Sequence, residues 1–146
     1  MTTSAAVREQ AYLLSLVREL AALPAETPWV ELKRDNTNPQ EIGEYISALA
    51  NAAALEGKAR AYLLWGVDDA THAFVGTGFD PAAARVGAEE LESWLLRLLA
   101  PKIGFRFHRV AVDGVVLVLL EIDRALRHPV QFAGIEYLRV GTYKKK

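Results

Sequence analysis

The sequence predicts an α/β fold: helices packed on a mixed β-sheet, with a β-α-β core followed by hairpins. Three observations predict it. The stretch from Trp29 to Asp69 reads as strand, capped helix and apolar strand. Asp113-Gly114 stands between two apolar runs, the strongest short hairpin signal. Val115 to Ile122 is apolar enough to be a strand covered on both faces. Strand, crossover helix and central strand in that order imply a parallel pair with a right-handed crossover.

The first helix is expected from about Ser4 to Leu23. Val7, Ala11, Leu14, Val17 and Ala21 follow helical spacing, and Leu13, Leu16 and Leu20 widen the stripe. Ser4 can cap its start and Pro24 stops it. Trp29 to Lys33 is then a short strand. Val30 and Leu32 share one face, which leaves Glu31 and Lys33 side by side on the other. Asn38-Pro39-Gln40-Glu41 is a helix start, with Asn38 as cap, Pro39 in the first position and Glu41 able to reach back. Ile42, Ile46, Leu49, Ala50 and Ala53 form its buried stripe, and Gly57 ends it. Ala61 to Val67 is a central strand, Asp68 to His72 a turn, and Phe74 to Gly76 a short returning strand.

Thr77 to Gly87 reads as a loop. Ala88 to Ala100 reads as a helix whose apolar face carries Leu91, Trp94, Leu95, Leu98 and Leu99, ended by Pro101. In the hairpin that follows, the parity of apolar positions shifts between Phe107 and Val110, which predicts a β-bulge near His108 or Arg109. His128 to Phe132 is extended, Ala133-Gly134 turns, and Ile135 to Val140 is the last expected strand, with Tyr137 and Arg139 on one face.

Length and composition fit a single globular domain, with residues 1–24 as an N-terminal helix and 25–146 as the body. With no cysteine, neither a disulfide framework nor a thiolate metal site is possible. A formal net charge of -1 argues against a general basic coat and leaves room for a local basic patch. No charged segment followed by an apolar one opens the chain, and its apolar runs fall short of the ~20 residues a membrane span needs. A cytoplasmic protein without a membrane partner is expected.

The pattern V-E-L-K-R, then N-P-Q-E-I-G-E-Y-I-S-A-L-A-N-A, then Y-L-L-W-G-V-D-D resembles the Schlafen/AlbA-type domain. V-G-T-G-F-D after the second strand, the Asp-Gly hairpin and the terminal Y-L-R-V-G-T-Y fit as well, so the resemblance covers roughly Glu26 to Lys146. It implies a DNA- or RNA-binding module of a bacterial transcriptional regulator or defence-type protein. Such relatives run on into further C-terminal regions, so this chain is expected to be a fragment or a short family member. The related Schlafen endonucleases of animals imply a second role, a ribonuclease dependent on Mg²⁺ or Mn²⁺. The positions matching its three carboxylates are Glu26, Glu31 and Asp69, with Asp68 the neighbouring choice, and Lys33 would assist electrostatically. One departure from the pattern is that A-A-A-L-E-G-K-A-R follows Asn51 where many relatives carry a run of glycines.

For nucleic acid the candidate contacts are Lys33, Arg34, Asn51, Arg139, Lys144, Lys145 and Lys146, and Tyr62, Tyr137 and Tyr143 would stack bases if exposed. Asn51 has a second reading, as an amide that ties its helix to a neighbouring strand. None of His72, His108 and His128 has metal-ligand spacing. A third role, a protein-interaction or homo-oligomerisation domain, follows from the wide apolar surface of the first helix.

Overall fold

The computed structural model describes residues 4–140 and 143–146. Among these residues, three helices accompany a mixed four-stranded sheet, two short strand pairs and a short three-stranded sheet. The elements in order are α1 (Ser4–Ala22), β1 (Val30–Lys33), α2 (Pro39–Leu55), β2 (Arg60–Trp65), β3 (Arg85–Val86), β4 (Glu89–Glu90) and α3 (Leu91–Leu98). After them come β5 (Leu99–Ala100), β6 (Phe105–Val112), β7 (Val115–Asp123), β8 (Gln131–Phe132), β9 (Ile135–Glu136), β10 (Leu138–Val140) and β11 (Tyr143–Lys145). The main sheet runs β1-β2-β7-β6. β1 and β2 are parallel, as the strand-helix-strand order requires, and the other neighbours are antiparallel.

The two faces of this sheet carry separate cores. On one, Leu13, Leu16, Val17 and Leu20 of α1 cover Val30, Leu64, Val110, Leu117 and Leu119. On the other, Ile42, Ile46 and Leu49 of α2 and Leu91 and Leu95 of α3 cover Leu63, Trp65, Val118, Leu120 and Ile122. The alternation along β2 and β7 follows from strand geometry, and both strands are largely apolar because both faces are covered, with Arg60, Glu121 and Asp123 as their charged members. Tyr62 lies in the α1 core, where burial pushes its phenol up to about 12, and Tyr137 is buried against α2. Neither offers a ring for base stacking. The side chain of Tyr143 lies outside the described residues.

Several elements depart from the expected bounds. The strand β6 has no bulge, since its register with β7 is continuous from Phe105 to Val112. Its apolar parity shifts because Phe105 and Phe107 pack into the α2 core, whereas Val110 and Val112 pack into the α1 core. The third helix starts at Leu91 rather than Ala88, because Gly87 (φ 61°) turns the chain and residues 89–90 pair back on 85–86. The expected returning strand after β2 shrinks to a single Val67–Phe74 bridge. The N–H groups of Val75 and Gly76 instead donate to the carbonyl of Gly66. At the start of α2, Asn38 accepts from the Glu41 N–H at 3.1 Å as a cap should, while the Glu41 carboxylate accepts from Asn36 instead of reaching back.

Gly43 marks a close approach of α2 to β8, because a Cβ there would overlap the ring of Phe132. That ring is fully buried and held edge-on by Trp94 at 5.6 Å. In Gly43→Ala, better helix propensity should stabilise by about 1 kcal/mol. The overlap should destabilise by about 1–3 kcal/mol and decide the sign. A lowered urea midpoint is expected, with partial rescue when Phe132→Leu is added.

Candidate functional site

The site lies at the carboxyl ends of the parallel strands β1 and β2, beside the first half of α2. Glu31 and Lys33 leave β1 on the same face, with Lys33 Nζ 3.5 Å from Glu31 Oε2. The hydroxyl of Tyr45 on α2 donates to the same oxygen at 3.3 Å. The other oxygen of Glu31 accepts from Arg139 at 2.6 Å, and the same guanidinium nitrogen donates to the Val30 carbonyl at 3.1 Å. The Arg139 side chain is 0% exposed and that of Glu31 14%. A cation so buried requires its carboxylate, so the pair is an internal tie of β10 to the edge strand β1.

Tyr45 is the hub. Lys33 Nζ lies 4.9 Å from its ring centroid, Lys144 Nζ 4.3 Å and Arg139 Cζ 5.9 Å, so three cations share one aromatic ring. Lys144 also donates to Glu41 at 3.3 Å and to Glu44 at 3.0 Å, both on α2. Burial lowers the ammonium pKa of Lys33, but its contacts with Tyr45 and Glu31 outweigh that and hold it above the ordinary lysine value. The amide of Asn36, and then Lys144, hold Glu41 below its ordinary value.

An open cleft of about 440 Å³ lies next to this cluster, walled by Leu20, Leu23, Leu32 and Tyr45 and edged by Glu31, Lys33, Asp69 and His72. His72 Nδ1 sits 2.9 Å from the Ala21 carbonyl, which can only accept, so that nitrogen carries the proton and ties the end of α1 to the cleft rim. Asp68 instead builds the turn. It accepts from the N–H groups of Thr71 and Ala70, which lower its pKa, and pairs with Arg34 at 3.3 Å.

Of the three carboxylates, Glu31 and Asp69 edge the same cleft, while Glu26 is exposed on the connection between α1 and β1. Both oxygens of Glu31 are engaged by Arg139, Lys33 and Tyr45. Among the described residues no group of three or more acids or histidines is placed to hold a metal ion. Mg²⁺ and Mn²⁺ need a set of free oxygen donors, and this arrangement does not supply one.

Asn51 takes its structural reading: it is buried and its amide bonds the backbone of Val130 and Tyr137. Arg139 is internal and Lys144 is largely buried among α2 carboxylates, which leaves Arg34, paired with Asp68, and Lys145 and Lys146 as the exposed members of the basic set. Sequence reasoning missed Tyr45, Glu44 and His72 as parts of the site. A readable signal existed for two of them: Glu41, Glu44, Tyr45, Ser47 and Asn51 form a polar stripe on an otherwise apolar helix.

A family model described as Schlafen, AlbA_2 matches residues 26–146. The fold is similar to the solution NMR structure of the N-terminal domain of a RecG-related protein from Nitrosomonas europaea, a protein named for ATP-dependent DNA helicases. The TM-score is 0.55 at 23% identity, over 91% of this chain and 87% of that one. It is also similar to the crystal structure of the DIP2311 protein from Corynebacterium diphtheriae, with a TM-score of 0.51 at 15% identity. That match covers 94% of this chain and 30% of that one, so this chain spans about a third of the larger protein. No curated protein matches. Among the described residues, no helix is long and apolar enough to cross a membrane.

Two outcomes follow from the cluster. Glu31→Ala leaves Arg139 buried without its carboxylate and should cost about 3 kcal/mol in chemical denaturation. In an NMR pH titration Glu41 should show a midpoint below 4.5, moving up in Asn36→Ala. The depressed value means that the Glu41 contacts stabilise the fold above the ordinary glutamate range and are lost as the pH falls through the lowered midpoint.

Proposed function

The chain belongs to the Schlafen, AlbA_2 family, and from that premise we propose that it is a nucleic-acid-binding module of a bacterial regulator or defence-type protein. One observation carries the placement of the interface. Two basic runs far apart in sequence, Lys33-Arg34 and Lys144-Lys145-Lys146, meet at Tyr45, because Lys33 and Lys144 lie against the same ring. The paired lysines fix the geometry, and the exposed Arg34, Lys145 and Lys146 extend from them toward phosphates. A chain with a formal charge of -1 thereby gains a local basic edge beside an open cleft. The RecG-related neighbour, named for a DNA helicase, agrees with this reading.

A metal-dependent ribonuclease is the alternative that the same experiment separates. Labelled single- and double-stranded DNA and RNA are titrated at low salt, with chelator and with Mn²⁺. Salt-dependent binding is expected with intact strands. In the Arg34→Ala, Lys145→Ala, Lys146→Ala triple variant, affinity should fall about tenfold or more and the salt slope should flatten by roughly 0.7–0.9 per lost phosphate contact. Absence of binding to every strand type at low salt would overturn the proposal. Mn²⁺-dependent cleavage abolished by Asp69→Asn, a surface change that leaves the fold intact, would replace it with the nuclease.

A further inference from the structure

A second surface lies at the other end of α2, ten residues and about 15 Å along the helix axis from Tyr45. Leu126 is 80% exposed and Leu55 78%, the most exposed large apolar side chains among the described residues. They edge a cleft of about 200 Å³ with Ala54, Pro129 and Leu138. A second cleft of about 260 Å³, bordered by Ile103 and Val130, also has Leu126 in its wall. Leu126 is thus a ridge between two shallow apolar clefts.

The ridge is anchored. The N–H of Arg124 donates to the Ala59 carbonyl at 3.1 Å and that of Ala125 to the Ala50 carbonyl at 3.0 Å, while the Ala125 side chain is buried. The exposure of Leu126 is therefore fixed by the backbone beside it. Arg127 and His128 border both clefts and Arg124 the second. These three form no ion pair among the described residues. Glu136 is the one acid on the rim of either cleft.

We infer that this surface docks an acidic, aliphatic-rich segment of a partner protein, with apolar anchors in the clefts beside Leu126 and carboxylates against Arg124 and Arg127. An apolar centre with an arginine rim is the anatomy of a protein interface. No Phe, Tyr or Trp lines either cleft, which disfavours a run of stacked bases. A second copy of the chain, docked on the same patch across a two-fold axis, would bring like charges together. The inference is independent of the nucleic-acid reading, which uses the opposite end of α2.

The test uses the intact chain and three fluorescein-labelled peptides read by anisotropy: one of glutamates and leucines, one with serines replacing the leucines, and one of lysines and leucines. Only the glutamate–leucine peptide should bind. Leu126→Ser and Arg127→Glu should each weaken it by about tenfold or more. Both positions are exposed, so both variants should fold as the parent does by circular dichroism, and both should bind labelled nucleic acid as the parent does. The inference is overturned by no binding of the glutamate–leucine peptide at millimolar concentration, or by equal binding to both variants. Self-association in sedimentation that Leu126→Ser abolishes would assign the patch to a second copy. Loss of nucleic-acid binding in Arg127→Glu would assign it to nucleic acid.

Discussion

Two side chains on α2 stand in for a missing strand, and the placement of the site depends on them. The segment from Val130 to Tyr137 has no partner in the main sheet, yet its Val130, Phe132 and Tyr137 side chains are buried in the core that α2 covers. Asn51 donates to the carbonyls of Val130 and Tyr137 and accepts the Val130 N–H at 2.8 Å. Ser47 donates to Val130 at 2.6 Å and accepts the Tyr137 N–H at 3.0 Å. An amide and a hydroxyl are suited to this because each both donates and accepts. Left unpaired, each buried backbone group would cost about 1–3 kcal/mol. Tyr137 is fixed in this way, and Arg139, two residues on, reaches Glu31.

The site inherits its electrostatics from that reach. A fully buried guanidinium needs a carboxylate against it, so Glu31 is committed to Arg139. Lys33 and Lys144 are then balanced by Glu31, Glu41 and Glu44 around one aromatic ring. The interior of the cluster is close to neutral, and its positive character emerges only at the exposed Arg34, Lys145 and Lys146. Glu31, which in sequence resembles a metal ligand, thus serves as a counter-ion in the fold.

What the sequence made legible was whatever local rules control. The parallel pair, the Asn38 cap, the Asp113-Gly114 turn and the doubly covered β2 and β7 follow from period, capping and turn chemistry. Where tertiary contact decides, local rules misread. A parity shift in β6 looked like a bulge because the strand changes which core it feeds along its length. The start of α3 moved because Gly87 offers a competing turn. The polar stripe on α2 marked Tyr45 but not its role, since a helical tyrosine gathers cations only when residues 33, 139 and 144 arrive from elsewhere.

The first helix joins the two halves of this account. It lies before the matched stretch 26–146, yet Leu13, Leu16, Val17 and Leu20 supply the cover for one whole face of the sheet. An uncovered face with Val30, Leu64, Leu117 and Leu119 would present a continuous apolar surface, so the sheet depends on this helix or on an equivalent cover. The same helix sets the cleft, because Leu20 and Leu23 wall it and the Ala21 carbonyl holds His72 at its rim. Its far side is tied to the Asp113 turn through Arg18 at 2.9 Å. A change in how α1 seats on the sheet therefore moves a wall of the cleft while leaving the Tyr45 cluster, which rests on α2 and β10, in place.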